Sequence, residues 1–251
     1  IQESFEQAQL AQASYALNLT EGMFGQQNSE YVAALTSDAV GMSDVQARVF
    51  ADTYSVVDQF TDSISGFSGT LFEKDGNIYF AIRGTETGPF SIIQDWLTNI
   101  ADVGADGLAI TQGLVMFNWL QRLQGASGQP VVQYVYHEAS VDQDGNAVPA
   151  WIESTLATAN GLLSGSQASM TVTGHSLGGH LAMMLSRMAP SLFDAAYTYM
   201  APGFDTIVSD TSPLTSEGFF SLLRDVSVGP ITGPVGAAWD HTILSHLDVP
   251  G

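Results

Sequence analysis

Apolar positions in the first part of the chain recur at the spacing of amphipathic helices. Residues 4–19 carry apolar side chains every three or four positions among glutamines, which predicts one helix. A shorter helix is predicted over residues 30–35, and Ser43 in Ser43-Asp44-Val45-Gln46 is typical of the cap of a third helix that continues to Val57. These helices are expected to serve packing.

From Ser68 the pattern changes to that of β-strands. Residues 69–73 and 77–83 are β-prone runs on either side of Lys74-Asp75-Gly76, and this combination predicts a hairpin. The second run is almost entirely apolar, as expected of a strand covered on both faces. Turn-forming residues follow it over positions 83–89, at the carboxyl end of a strand, where open α/β sheets place their ligands.

The rest of the chain alternates between helix and strand patterns. Such alternation predicts an α/β fold over a single domain of residues 1–251, with a mainly parallel sheet and helices on both faces. The predicted elements are helices over 90–100, 108–123 and 152–163, an inserted hairpin over 130–150, a strand at 170–173, a helix at 181–189 and a strand at 195–200.

The charge balance limits the partners of the protein. Six Lys and Arg residues stand against 26 Asp and Glu residues, which gives a net charge of −20. A chain this negative is a poor partner for nucleic acid or an anionic membrane surface. The carboxylates serve either solubility and halotolerance or the binding of Ca²⁺. No D-x-D-x-D-G loop is present, so no calcium site or other metal site is assigned.

Cysteine is absent, which excludes disulfides, thiolate catalysis and cysteine-ligated zinc. Its absence is common in secreted bacterial proteins that fold without oxidation, and a bacterial, extracellular protein is therefore expected. The sequence begins at Ile1, so a leader peptide is expected to be missing. No run of 18 apolar residues occurs, and no transmembrane helix is predicted.

The chemistry is concentrated in Thr173-Gly174-His175-Ser176-Leu177-Gly178-Gly179. A β-branched strand precedes this G-x-S-x-G sequence and an apolar helix follows it, which predicts a nucleophile elbow. Gly174 and Gly178 are required there because a Cβ at either position would collide with the tight turn. Ser176 would be exposed at the helix N-terminus, where free backbone N–H groups and the helix dipole favour a forming oxyanion.

A serine hydroxyl is a weak nucleophile until a base, usually histidine, removes its proton. In α/β-hydrolases the acid and then the histidine follow the serine. His137 and His175 precede Ser176, and His180 is expected to point away from the site, so His241 and His246 remain. His241 is the predicted base.

The acid that would orient this histidine is predicted to be Asp225. It ends a β-prone or helical run that Gly-Pro follows, where a loop could carry its carboxylate to the site. Asp205, after the strand that follows the elbow, is the main rival. Only ten residues follow His241, so an alternative is that the chain is incomplete and the base lies beyond Gly251.

In these motifs the chain resembles the class 3 (fungal-type) lipase family of α/β-hydrolases, which includes related secreted bacterial lipases and phospholipases. The combination of RGT and DWL with GHSLGG is more specific than GHSLGG alone. The inserted hairpin and a weak echo of the family's D-x-V-P segment at Asp225 depart from the pattern. The resemblance rests on residues 65–69, 81–85, 95–97 and 172–179, in the expected order over about residues 45–205.

The resemblance implies an oxyanion hole formed by the backbone N–H groups of Thr85 and Leu177. Both residues follow strands that are expected to end at the same face of the sheet, which supports this pairing. The resemblance also implies a lid in residues 88–107. The apolar helix pattern at 90–100 fits either a mobile cover or ordinary core packing.

The leading hypothesis for function is hydrolysis of carboxylic esters of lipids at an interface, through an acyl-enzyme on Ser176 and without a cofactor. A phospholipase A, an acyltransferase or a peptidase on the same fold is an alternative within enzymes. The non-enzymatic alternative is a lipid-binding module that kept the elbow but lost a complete triad. The oligomeric state is not predicted.

Overall fold

The computed structural model describes residues 2–84, 109–137, 140–143, 145–148, 151–166, 168–204 and 220. The chain divides into two compact units, Ile1–Ala101 with Gln167–Phe204, and Asp102–Ser166 with Asp205–Gly251. The single domain expected from the sequence stays a prediction. In chain order the elements are α1 (Gln2–Ala13), α2 (Ser29–Leu35), α3 (Asp44–Ala51), β1 (Ser55–Thr61), β2 (Ser68–Lys74), β3 (Asn77–Ile82), α4 (Ile110–Gln124), β4 (Pro130–His137), β5 (Ser140–Val141), β6 (Ala147–Val148), β7 (Trp151–Thr158), β8 (Met170–His175), α5 (Leu177–Met188) and β9 (Ala195–Tyr199).

Helices α2 and α3 of the first unit each have a side-chain cap at the N-terminus. The Tyr31 N–H donates to Asn28 Oδ1 at 3.0 Å before α2, and Ser43 forms a reciprocal capping box with Gln46 at α3. Each cap satisfies helix N–H groups that have no partner within the helix. The predicted cap of α3 at Ser43 is therefore confirmed, and α2 begins at Ser29, one residue before its predicted start.

Helix α3 ends at Ala51, and the predicted continuation to Val57 is wrong. Residues 55–61 form β1, in which Val56 pairs with Phe72 of β2. Two consecutive β-branched valines fit the pleated surface of a sheet better than a helix, and the pairing with β2 supplies the backbone partners. A partner strand that lies further along the chain thus overrides the helical spacing.

The five-stranded sheet of the first unit has the order β1-β2-β3-β8-β9. The hairpin predicted around Asp75-Gly76 joins β2 to β3, and β1 and β3 both run antiparallel to β2. Strand β8 runs parallel to β3 and to β9. The described sheet is therefore mixed, and the expected mainly parallel sheet is found only on the β3-β8-β9 side.

Helices cover both faces of β8. The Thr173 hydroxyl donates to the Gln7 carbonyl oxygen of α1 at 3.1 Å, so this face of the strand packs against α1. Side chains alternate along a strand, and Gly174 faces the other way, where a Cβ would collide with the Gly178 backbone of α5. The predicted arrangement of helices on both faces is confirmed here.

The second unit contains α4 and the antiparallel pair of β4 and β7. The predicted helix at 152–163 is wrong, because residues 151–158 form β7 and pair along their length with β4. The predicted hairpin over 130–150 is also wrong in its pairing, because its first strand, β4, pairs with β7. The turn at Asp142 is flanked by the short strands β5 and β6, which pair with each other. Trp151, Ile152 and Thr155 are β-prone residues, and a long partner strand decides between the two patterns.

Buried side-chain amides hold helix α4 to β4, among them those of Asn118 and Gln133. The Asn118 side chain donates to the Tyr134 carbonyl at 2.7 Å and accepts from the Tyr134 N–H at 2.8 Å, so it satisfies both backbone groups. None of the helices in the described part of the chain is long and apolar enough to cross a bilayer.

Candidate active site

Ser176 lies in a strained turn between β8 and α5. Its backbone dihedrals are φ 55° and ψ −127°, a region that costs a residue with a side chain roughly 1–3 kcal/mol. The surrounding backbone holds it there, since the Ser176 N–H donates to the Tyr199 carbonyl at 2.8 Å and the Gly179 N–H donates to the Ser176 carbonyl at 2.9 Å. This is the conformation expected of a nucleophile elbow, and the predicted strand, turn and helix are confirmed.

The two flanking glycines are sterically required, as predicted. A Cβ on Gly174 would collide with the Gly178 carbonyl group. A Cβ on Gly178 would collide with the Ile82 carbonyl oxygen and would lie 2.9 Å from the Gly84 nitrogen. The contact with Ile82 shows that the start of α5 packs directly on the carboxyl end of β3.

The strands β3 and β8 bring two chain segments to one edge of the sheet. Ile82 pairs with Gly174 in parallel register, and a Cβ on Gly84 would lie 2.5 Å from the His175 carbonyl oxygen. Leu177 is the first residue of α5, so its N–H has no acceptor within the helix. Together with the positive end of the helix dipole, this N–H favours a negative charge next to Ser176.

The described histidines all have structural partners. His175 Nδ1 lies 3.2 Å from the Tyr15 hydroxyl, and His137 Nε2 lies 2.9 Å from a carboxylate oxygen of Glu153. His180 is fully buried, with Nδ1 3.2 Å from the Pro202 carbonyl and its ring edge-on to Phe204. Burial lowers the pKa of His180 despite hydrogen bonds with the Pro202 and Gly203 backbone that raise it, so the ring is neutral near pH 7.

Several predicted site residues lie outside the described residues. They are Thr85 of the oxyanion hole, the lid at residues 88–107, the acid Asp225 with its rival Asp205, and the bases His241 and His246. Their roles stay predictions. Of the predicted site, the structure describes Ser176, Leu177 and the elbow glycines.

Within the described residues, no three His, Cys, Asp or Glu side chains come together in a way that could hold a metal ion. Tyr15, whose hydroxyl contacts His175, lies next to the elbow although its sequence pattern predicts only a helix that packs. These two residues lie 160 positions apart, so no local sequence pattern connects them.

Parallel strands that lead into a strained serine turn at a helix N-terminus, with helices on both faces of the sheet, define an α/β-hydrolase. Within that class, residues 79–193 match the family model for lipase (class 3). The matched segment contains β3, β8 and the whole elbow. Over this segment the chain is similar to class 3 lipases, and the similarity indicates a carboxylic ester hydrolase of the lipase type.

Three solved structures are similar to the chain. Lip2 lipase from Yarrowia lipolytica is 17% identical with a TM-score of 0.40, over 96% of this chain and 70% of that one. A lipase from Rhizopus microsporus var. chinensis is 13% identical with a TM-score of 0.35, over 80% and 58%. A structure described as a fungal lipase is 14% identical with a TM-score of 0.34, over 77% and 58%. A comparison with curated protein sequences gave no significant match.

Proposed function

We propose that the protein hydrolyses lipid esters through an acyl-enzyme on Ser176. The observation that carries the proposal is the strained Ser176 backbone, at φ 55°, directly before the first N–H of α5. Strain of this kind persists only where the surrounding structure fixes it, and it is concentrated at functional sites. A serine in this position presents its hydroxyl beside backbone groups that can bind an oxyanion.

In the proposed reaction, Ser176 Oγ attacks the ester carbonyl carbon while His241 takes the hydroxyl proton. The N–H groups of Thr85 and Leu177 stabilise the resulting oxyanion. His241 then gives its proton to the alcohol as the ester bond breaks, which leaves an acyl-enzyme. Water, deprotonated by the same histidine, then attacks the acyl carbonyl carbon. The bond from this carbon to Ser176 Oγ breaks, the carboxylic acid leaves and His241 returns the proton to Oγ, with Asp225 orienting the ring throughout.

The proposed substrates are triacylglycerols or phospholipids presented at a lipid–water interface. Residues 88–107 include Phe90, Ile92, Ile93, Trp96 and Leu97, which would form the apolar face of a lid over such a substrate. An extracellular location fits this substrate, and the absence of cysteine from the sequence is compatible with it.

Labelling with a fluorescent alkyl phosphonate tests the role of Ser176, because the reagent traps an activated serine as a stable adduct. Wild-type protein should label to one equivalent, and Ser176→Ala should neither label nor hydrolyse esters at more than about one thousandth of the wild-type rate. Ser186→Ala is the matched control, since Ser186 lies in the same helix and its hydroxyl donates only to the Met183 carbonyl at 2.8 Å. A wild-type chain that binds lipid vesicles but never labels would be a lipid-binding module instead.

A further inference from the structure

The hydroxyl of Tyr15 lies against both chain segments that meet beside Ser176. It is 3.2 Å from His175 Nδ1, and the two rings are 6.3 Å apart between centroids. The same hydroxyl lies so close to Gly84 that a Cβ there would come within 2.6 Å of it. One phenol therefore contacts the residue before Ser176 and the residue before Thr85.

The position of Tyr15 is fixed by contacts on both sides of it in sequence. Before it, α1 is held to the sheet by the Thr173 hydroxyl, which donates to the Gln7 carbonyl at 3.1 Å, and by the Tyr199 hydroxyl, which donates to the Ser4 carbonyl at 2.6 Å. After it, the Ala16 carbonyl accepts a hydrogen bond from the Gln59 side chain at 2.8 Å. Tyr15 is thus part of the rigid framework around β8.

We infer that Tyr15 is a positioning residue for the reaction proposed at Ser176. Its hydroxyl holds the His175 side chain and lies against Gly84, and so sets the spacing between the elbow and the chain that leads into Thr85. This inference rests on the proposed function, because the spacing matters only if Ser176 and the backbone after Gly84 act on one substrate. Nucleophile and oxyanion donors tolerate little displacement, and an error of about 1 Å can cost about 100-fold in rate.

The expected kinetic signature is a loss in kcat with little change in KM. Tyr15 contacts groups of the protein rather than the acyl chain, so its loss displaces the reacting groups without removing a substrate contact. Both the acylation and the deacylation step use the same oxyanion donors, and both should become slower. Tyr15→Phe keeps the ring and removes only the hydroxyl, so we expect kcat on a soluble short-chain ester to fall about 10-fold with KM within about twofold.

Tyr31→Phe is the matched control. Tyr31 is fully buried in the same unit, and its hydroxyl donates to the Tyr54 carbonyl at 3.2 Å, away from the elbow. Tyr31→Phe should lower the urea midpoint by an amount similar to that of Tyr15→Phe, but its kcat should equal that of the wild type. A Tyr15→Phe enzyme with kcat within twofold of wild type, or a loss no larger than that of Tyr31→Phe, would overturn the inference.

A double-mutant cycle with His175→Phe shows whether Tyr15 acts through His175. If it does, adding Tyr15→Phe to His175→Phe should change kcat by less than about twofold, because the link is already broken. Independent, multiplying losses would contradict the inference. Should Tyr15→Phe fail to fold, His175→Phe alone tests the same link and should lower kcat about 10-fold at unchanged KM.

The phosphonate separates failure of this inference from failure of the proposed function. Wild-type protein that does not label overturns the proposed function and, with it, the role of Tyr15. Wild-type protein that labels while Tyr15→Phe labels at the same rate overturns the positioning role alone. The expected result is full labelling of both, with Tyr15→Phe about 10-fold slower.

Discussion

Ile82 and Gly174 are register partners in the parallel strands β3 and β8, so these two strands end side by side at one edge of the sheet. Thr85 and Leu177 each follow one of these partners by three residues. Gly84 and Ser176 are about 90 residues apart in sequence, and this strand pairing brings the chain segments that contain them together. The register is therefore as important to the site as the GHSLGG sequence.

The contact between Gly178 and the end of β3 predicts that this glycine cannot be replaced. In Gly178→Ala the new methyl group would overlap the Ile82 carbonyl oxygen, so β3 or α5 must shift. Overpacking of this kind costs about 1–3 kcal/mol in the free energy of unfolding, and the displaced oxyanion edge should lower ester turnover by at least about 100-fold. Urea unfolding and turnover of a soluble ester measure the two effects.

Gly203→Ala is the control for that substitution, because among the described residues no atom beyond its chain neighbours lies within 4 Å of the Cβ it would add. Its stability and turnover should remain near wild type. If Gly178→Ala behaves like Gly203→Ala in both measurements, the described packing between the elbow and β3 is wrong.

Local signals account for the parts of the fold that the sequence predicted. Ser43 and Gln46 form a capping box within one turn of chain, and the Asp75-Gly76 turn joins adjacent strands, so each is encoded by a few neighbouring residues. The elbow belongs to the same group, since Gly174 and Gly178 are read directly from the spacing around Ser176.

The errors arise where a distant partner decides the structure. Residues 55–57 and 152–158 have spacings compatible with a helix, but they pair with β2 and β4 and become strands. The contact of Tyr15 with His175 also depends on residues that are distant in sequence, because the two side chains meet only where α1 packs on β8. Helix periodicity alone assigns α1 only a packing role.

The buried His180 predicts a specific dependence of stability on pH. Burial lowers its pKa in the folded state, so below the ordinary value of 6.5 the unfolded chain binds a proton that the folded chain does not. The contribution of neutral His180 is complete above pH 6.5 and is lost as the pH falls from there towards the folded-state pKa. The limiting slope for one such proton is about 1.4 kcal/mol per pH unit.

His180→Asn isolates this effect from the titration of the many carboxylates. An asparagine side chain can still donate to the Pro202 carbonyl but does not titrate. The difference in unfolding free energy between wild type and His180→Asn should therefore shrink as the pH falls from 7.5 to 5. A difference that stays constant over this range would mean that His180 is not a buried neutral group.

The proposed lid at residues 88–107 predicts interfacial activation. Specific activity on a long-chain ester should rise when the substrate exceeds its aggregation threshold, since an apolar lid face gains a surface to contact. Trp96→Ser would remove the largest apolar side chain of this segment and should reduce the rise, while activity on a soluble short-chain ester stays within about twofold. Equal specific activity on dispersed and aggregated substrate would support core packing for this segment.

The proposed base, His241, is best tested beside His246, the other histidine that follows the elbow helix. If His241 accepts the proton of Ser176, His241→Ala should abolish phosphonate labelling, because the hydroxyl is then not activated, while His246→Ala should label normally.

Asp225→Asn should slow labelling less than His241→Ala, since a misoriented base is less harmful than a missing one, and Asp205→Asn gives the comparison for the rival acid. Normal labelling of His241→Ala with loss in His246→Ala would transfer the role of the base to His246. Normal labelling of both variants would exclude both histidines, and the proton of Ser176 would then have to be taken by a group outside the residues named for the triad.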